Sequence, residues 1–441
     1  MIKKFFILNK KPILIFVIVF AAELLTIFVL SQINGIEIFF RGDGRDYQNL
    51  ANNLIYHQTL AITPNPPYLP TNFRTPIYPF WLAFIYLIFQ SFSATIFVGA
   101  LVFAISAPLV YLIGREIFTE KIALITALLS SLEPWALFQS GFLAAEQIFL
   151  PIFLLSVYLF IRYLKSGKTL QLYLSSLILG IAVLTRPIAL FFIVIFVVLA
   201  FIFELRHSIW QSFKASALIF LIFIAVLTPW LIRNKIVLDS WQFSSASGLS
   251  AFNDYLMLER YLGNLDSKDD IYEKAKQLTG AKTDIEAITT VENSKKLTDI
   301  AIQGISLHSG SFLAMHLLNS IPLFFIKNSY SNILLDLGFR NFKIIKGFSN
   351  FSLISKLLLI LSFFWPIITI LTILGIYKNI KQNRHNLIFW FLILWILYFT
   401  LFAASARDIS RYRMVIHAPL FLFAVYGFYK IKNYFFNASS F

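Results

Sequence analysis

Ile13-Leu-Ile-Phe-Val-Ile-Val-Phe-Ala-Ala-Glu-Leu-Leu-Thr-Ile-Phe-Val-Leu30 is apolar on every helical face except at Glu23 and Thr26. A strand of a membrane barrel alternates polar and apolar residues. This run does not alternate, and its length approaches the roughly twenty residues that carry a helix across a hydrocarbon core. Similar runs recur outward from it, giving expected spans at 11–31, 94–113, 122–139, 146–162, 170–186, 187–204, 215–232, 353–377, 387–403 and 413–429. Soluble domains carry about 25% charged residues. Here 13% of 441 residues are charged and 58% are hydrophobic. The chain therefore reads as an all-α polytopic membrane protein with about ten spans. No small-x-small cleavage site closely follows the first run, so it reads as a retained helix.

Charge orders these spans. The net charge of +15 sits largely in short turns, where it serves orientation and lipid headgroup contact rather than nucleic-acid binding. Lys10, Arg115, Lys121, Arg162, Lys165, Arg206, Lys214, Lys378, Arg384, Lys430 and Lys432 all fall on one side if both termini are cytoplasmic. Two long loops then face the other side, 32–93 and 233–352. Eleven of the twenty-two acidic residues lie in 239–299, a soluble-like and helix-permissive stretch. The expected organisation is an N-terminal membrane module (1–232), an extracytoplasmic loop or small subdomain (233–352) and a C-terminal membrane module (353–441). Two short apolar stretches, Pro76–Phe89 and Phe312–Ile326, each hold a proline and read as interfacial or re-entrant. The chain has no cysteine, which excludes disulfides and thiolate metal sites.

The first loop carries Arg41-Gly-Asp-Gly-Arg-Asp-Tyr47 soon after the first span. Tyr47, Leu50, Ala51, Leu54 and Ile55 then repeat at helical spacing, opposite Gln48, Asn49, Asn52 and Asn53. That pattern predicts an amphipathic helix along the membrane surface. Asp43 is placed to be its N-cap, with Asp46 in the capping-box position. A DxxD pair before a helix has this ordinary structural role. Gly42 and Gly44 on either side allow close approach by another group and tilt the reading towards a site. Beyond Pro64, Pro66, Pro67 and Pro70, Phe73-Arg-Thr-Pro-Ile-Tyr-Pro79 returns to the membrane as a stiff passage, and its Arg74 needs an anionic partner.

Other polar residues lie at the same expected face. Glu146, in Gly141-Phe-Leu-Ala-Ala-Glu-Gln147, opens a span and needs a partner or a function. Arg186 sits in Leu184-Thr-Arg-Pro187. Ala404-Ser-Ala-Arg-Asp-Ile-Ser-Arg-Tyr-Arg413 puts Arg407, Arg411 and Arg413 outward, against the usual charge bias. Headgroup snorkelling accounts for single arginines. Several converging with carboxylates point to a phosphate, which guanidinium groups bind bidentately. Arg407, Arg411 and Arg413 are the first phosphate candidates, with Arg74 and Arg186 behind them. Tyr47, Tyr78, Tyr412 and His417 are expected to support the pocket, with plain core packing as the other reading of Tyr412 and His417. Glu23 reads as a helix-pairing residue, and Glu133 as support through a buried hydrogen bond.

These motifs resemble the C-type-fold membrane glycosyltransferases, in particular the protein O-mannosyltransferases and the lipid A aminoarabinose transferases. The resemblance rests on Asp43 four residues before Tyr47, then Arg74-Thr-Pro76 and Tyr78-Pro79, then Leu184-Thr-Arg-Pro187, and then Arg411-Tyr-Arg413 followed by Pro419. Glu146 stands where many relatives have aspartate. The likeness covers roughly 1–235 and 387–430 and leaves 239–350 outside it. It implies a polyprenyl-phosphate sugar donor with its tail in the bilayer, and a glycan, lipid or protein acceptor. Under it, Asp43 acts as general base or hydrogen-bond acceptor, Asp46 and Glu146 orient acceptor or arginines, and the arginines hold the leaving phosphate. One inverting displacement is expected. No cofactor is required, although outward carboxylates leave room for a divalent metal. The implied location is a prokaryotic inner membrane, with an extracytoplasmic site and membrane lipids around it. An anionic-lipid transporter or flippase, or a noncatalytic assembly protein, are the readings that compete.

Overall fold

A computed structural model describes residues 10–266, 270–327, 330, 363–403 and 409–438, and every regular element among them is helical. Among the described residues, seven helices are long and apolar enough to cross a membrane: Lys10–Asn34, Ser93–Ile117, Glu146–Ser166, Pro187–Glu204, Ile209–Leu238, Ser309–Ile326 and Ser410–Lys432. Glu120–Ser131 with Pro134–Ser140 makes an eighth, bent by 60°. The bend follows from Pro134, which opens the second piece while Glu133 caps it, accepting from Ala136 N at 2.9 Å. The expected spans at 170–186 and 387–403 fall on the shorter apolar helices Thr169–Thr185 and Leu387–Ala403. The expected span at 353–377 is described only from residue 363 onward, as the helix Phe364–Asn383.

The two ambiguous stretches separate. Ile77–Phe89 is a 13-residue helix. At 1.5 Å per residue it covers roughly 20 Å, short of the roughly 30 Å of hydrocarbon. Phe312–Ile326, expected as interfacial or re-entrant, belongs to an 18-residue helix from Ser309 that has spanning length. Yet it begins at the helices of the second long loop, and its far end, Phe324 and Lys327, meets Arg413 close to Arg411. Both ends therefore lie at the same end of the bundle. Continuity past Pro322 comes from the π turn His316–Ser320. A wider turn accommodates the hydrogen bond that proline cannot make.

The centre of the bundle is aromatic. Phe160 stacks on Phe196 with centroids 4.0 Å apart, and Phe153 packs edge-on to Phe192, Trp395 and Phe399. Charge gathers at the two ends. At one end Lys11 pairs with Glu120, and Glu116 receives Arg162 at 3.3 Å and Lys165 at 3.0 Å. At the other end lie Asp43, Glu146, Arg186 and Arg411. Above that second end the helices Ala246–Tyr261, Ile271–Thr279, Asp284–Thr289 and Val291–Leu307 form a lobe with its own core of Phe252, Leu256, Ile271, Ala275, Ala287 and Leu297.

Candidate active site

The loop after the first membrane helix enters the site through glycine. Gly42 has φ of +58°, a conformation that side chains disfavour. It occupies the N-cap position, so Asp43 is the first helical residue and not the cap expected from sequence. Its carboxylate is thereby free to point at cations, and the helix N-terminus favours its negative charge. A Cβ on Gly44 would lie 3.3 Å from both the Phe39 and the Leu143 carbonyl oxygens. That glycine lets the Asp43 helix seat on the turn leading to Glu146.

Asp43 accepts from two arginines at once. Arg74 Nη2 lies 2.6 Å from Oδ1, and Arg411 Nη1 lies 2.9 Å from Oδ2. Arg74 also reaches Asp46 Oδ2 at 3.0 Å. Glu146 Oε1 accepts from Arg411 Nε at 2.7 Å and from Arg186 Nη1. Three carboxylates and three guanidinium groups thus form one connected network drawn from five parts of the chain. Glu146 is buried, whereas Asp43 and Asp46 keep side-chain exposures of 29% and 35%. The network therefore has a dry floor and an accessible rim.

Local sequence explains each placement. Pro187 forces Arg186 into extended backbone, φ −145° and ψ 120°, which ends the preceding helix and turns the side chain to Glu146. Thr75 Oγ1 donates to the Thr185 carbonyl at 3.0 Å, tying the Arg74 passage to the Arg186 turn. The Arg74 guanidinium lies over the rings of Phe73 and Tyr47, at 4.8 and 5.2 Å. Tyr47 meets Tyr78 edge-on at 4.6 Å, and Arg186 lies 5.0 Å over Tyr412. The lobe grips the chain just before Arg74. Asn72 donates to the Gln242 carbonyl at 2.8 Å, Ser244 to the Phe73 carbonyl at 2.8 Å, and Thr71 to the Thr289 carbonyl at 3.2 Å.

Electrostatics separates the two aspartates. Burial pushes Asp43 up, but Arg74 and Arg411 outweigh it and hold its carboxyl well below the usual range. At Asp46 burial prevails over Arg74, and the carboxyl is raised above its ordinary value. Burial pushes the Tyr47 hydroxyl up to about 12. Asp43 thus stays anionic, and the guanidinium groups can meet a second anion only by sharing or releasing a carboxylate.

Asp43, Asp46, Glu146, Arg74, Arg186, Arg411, Tyr47, Tyr78 and Tyr412 come together. Arg413 and His417 do not. Two residues past Arg411 on a helix lies its opposite side. Arg413 accordingly turns into the core, donating to the Phe324 and Lys327 carbonyls at 2.8 and 2.7 Å, with its guanidinium 3.6 Å from the Trp365 ring centre. Its expected phosphate role gives way to a structural one. His417 is buried, with Nδ1 3.3 Å from the Ser130 carbonyl. Arg407 lies outside the described residues. Sequence reading missed Gln147, which accepts from the Tyr78 hydroxyl at 2.8 Å and donates to the Ser140 carbonyl at 2.9 Å. A glutamine inside an apolar run was its signal. Among the described residues no three His, Cys, Asp or Glu side chains gather as a metal-binding group.

Residues 73–232 match the family model described as dolichyl-phosphate-mannose-protein mannosyltransferase. No match was found among curated proteins. The structure is similar to that of the archaeal oligosaccharyltransferase AglB from Archaeoglobus fulgidus, solved in complex with an inhibitory peptide and a dolichol-phosphate. The TM-score is 0.50 and the identity 13%, over 92% of this chain and 49% of that one. The apo form of an Archaeoglobus fulgidus oligosaccharyltransferase gives a TM-score of 0.46 and 15% identity, over 92% of this chain and 50% of that one. This chain thus spans about half the length of those enzymes. The helical architecture and the matched segment make this chain a polytopic membrane protein of the C-type glycosyltransferase fold.

Proposed function

We propose that the chain is a membrane glycosyltransferase. It takes a sugar from a polyprenyl-phosphate carrier and passes it to an acceptor hydroxyl in one inverting displacement, on the extracytoplasmic face of an inner membrane. One observation carries this reading: Asp43, partly exposed at the rim, is held by Arg74 and Arg411 in the same network. That arrangement offers an acceptor for a hydroxyl proton beside donors for a phosphate oxygen. The family matched over 73–232 is named for a dolichyl-phosphate sugar donor, and AglB was solved with a dolichol-phosphate. Both support a lipid-linked donor here.

The network supports the following course of reaction. In the free protein the network is neutral by count, three carboxylates against three guanidinium groups. Asp43 is then a weak base, because two cations stabilise its ionised form. A donor phosphate entering at the rim draws Arg411 and Arg74 towards its oxygens. Each gives up part of its hold on Asp43, and the carboxylate regains basicity as the acceptor hydroxyl reaches it. Negative charge builds on the phosphate as the sugar–oxygen bond breaks, and the arginines stabilise it most at that point. Glu146 and Asp46 keep the guanidinium groups from collapsing onto one anion. The scheme routes no step through a metal, so transfer is expected to survive treatment with EDTA.

The test uses purified protein in lipid with a panel of polyprenyl-phosphate sugars and separate acceptor classes. The expected result is release of polyprenyl phosphate stoichiometric with glycosylated product, reduced by about 10²–10⁴ in Asp43→Asn. Transfer at the wild-type rate by a folded Asp43→Asn protein overturns the assignment of the base. Movement of the lipid with no product formed overturns the enzyme.

A further inference from the structure

The end of the bundle opposite the carboxylate–arginine network holds a cavity of about 390 Å³. It lies between the Phe118–Thr119 turn, the last turn of the Phe364–Asn383 helix, the start of the Leu387–Ala403 helix and the Ser410–Lys432 helix. Four carboxamides line it, Asn379, Gln382, Asn383 and Asn386, the first of them buried. One wall is aromatic. Phe118 meets Phe423 at 6.1 Å and Tyr426 at 5.2 Å, and Phe423 meets Phe389 at 5.8 Å. The protein engages the carboxamide oxygens. Asn383 Nδ2 donates to Asn379 Oδ1, the Tyr426 hydroxyl to Gln382 Oε1 at 3.4 Å, and the Ile388 backbone N–H to Asn386 Oδ1 at 2.9 Å. The amide N–H groups of Asn379, Gln382 and Asn386 are thereby left as donors for the oxygen atoms of a ligand.

Positive charge surrounds this cavity. Lys121 adjoins the lining Ile122, and Arg384 adjoins the lining Asn383. Lys430 Nζ lies 5.3 Å from the ring centre of the lining Tyr426. The carboxylates flanking the turn, Glu116 and Glu120, are already held by Arg162, Lys165 and Lys11. Among the described residues, Lys121, Arg384 and Lys430 have no ion-pair partner and the lining holds no carboxylate. The site therefore suits an anion and not a cation. Its depth is set by the residues around it. The Trp390 indole donates to the Arg384 carbonyl at 2.8 Å, and Phe428, between Tyr426 and Lys430, is 53% exposed. Tryptophan and tyrosine beside exposed apolar side chains mark the headgroup level of a bilayer. Basic pockets between membrane helices at that level take anionic lipid headgroups, and the volume is within the roughly 300–1,000 Å³ of ligand sites. We propose that the cavity binds the headgroup of one anionic phospholipid from the leaflet on that side. Lys121, Arg384 and Lys430 attract its phosphate, and the carboxamides bind the hydroxyl groups of a polyol headgroup such as glycerol.

The test titrates the full chain in detergent with phosphatidylglycerol, phosphatidic acid and phosphatidylcholine, and counts bound lipid by native mass spectrometry. One phosphatidylglycerol is expected to bind where phosphatidylcholine does not. Lys121→Ala and Lys430→Ala are each expected to weaken it about fivefold. Lys168→Ala takes one charge from an exposed turn at the same end, outside the cavity, and is expected to change nothing. Gln382→Leu is expected to lower the affinity for phosphatidylglycerol to that for phosphatidic acid, which has the phosphate without the glycerol. Equal binding of phosphatidylglycerol and phosphatidylcholine by the wild-type protein overturns the proposal, whatever the variants do. So does an equal loss in Lys168→Ala and Lys430→Ala, which would mean diffuse surface charge and no site. Displacement of the lipid by an equal concentration of glycerol 3-phosphate would make the occupant a soluble anion and overturn the lipid assignment.

Discussion

Asp43 is held by the same arginines that the proposed mechanism asks to leave it, and this has a consequence for acid stability. Its folded pKa lies below the ordinary 3.8. Its contribution to folding is therefore present above that value and lost as pH falls through it towards the depressed folded pKa. Asp46 has the opposite sign, because its folded pKa is raised. Its contribution is present at low pH and lost as pH rises through the raised value. Thermal unfolding in detergent below about pH 4 is expected to show a smaller acid loss in Asp43→Asn than in wild type, and no such relief in Asp46→Asn. The two neighbouring arginines also part ways. Arg411→Ala leaves Asp43 with Arg74 and Glu146 with Arg186, so no carboxylate is stranded. It is expected to fold and to raise the KM for the lipid donor more than that for the acceptor. Arg413→Ala strands the buried Phe324 carbonyl, takes a donor from the part-buried Lys327 carbonyl and removes the contact with Trp365, and is expected to lose about 1–3 kcal/mol of stability. Equal donor KM shifts in the two variants would contradict this division. Sequence made Asp43, Arg74, Glu146, Arg186 and Arg411 legible, because charges at membrane-helix ends need partners. It did not separate Arg411 from Arg413, since motif spacing says nothing of which face of a short turn meets the core.

The connections between elements explain how distant segments hold one network. Thr75 to Thr185 links the return passage to the Arg-Pro turn, and Asn72, Thr71 and Ser244 link that passage to the lobe. Each bond joins a side chain to a backbone carbonyl far away in sequence. Such bonds leave no periodic or charge signal, which is why the lobe read as soluble-like without its task being visible. The geometry gives it one: it pins residues 71–73 and so limits the freedom of Arg74. Ser244→Ala removes one anchor while sparing the lobe's own core. It is expected to lower kcat several-fold and to increase amide exchange in residues 68–75, with a drop in unfolding temperature no larger than one stranded carbonyl explains. Unaltered exchange in that segment would separate the lobe from the site. The same scale explains the longer Ser309–Ile326 helix. Proline and length suggest an interfacial or re-entrant piece, and a π turn lets that piece run on as one helix from the lobe to the Arg413 turn.

At the scale of the whole molecule, sidedness decides whether the chemistry has access to an extracytoplasmic acceptor. One end of the bundle carries Lys11, Arg162 and Lys165 beside Glu116 and Glu120, and the other carries the six-residue network and the lobe. Lysine and arginine in short turns mark the cytoplasmic side, so the network is expected to face away from it. Spans were legible because apolar length is a local property. Which polar end carries the carboxylate–arginine network was legible only from the outward arginines that break the charge bias. The chain contains no cysteine, so one introduced thiol reports alone. Glu292→Cys on the lobe, where the native side chain is 78% exposed, is expected to react with a membrane-impermeant maleimide in intact cells. Lys168→Cys, in the turn after the Glu146–Ser166 helix, is expected to react only after the membrane is opened. The reverse pattern would turn Asp43 and its arginines towards the cytoplasm. It would leave the network intact and deny it the extracytoplasmic acceptor. Labelling therefore tests the orientation separately from the chemistry.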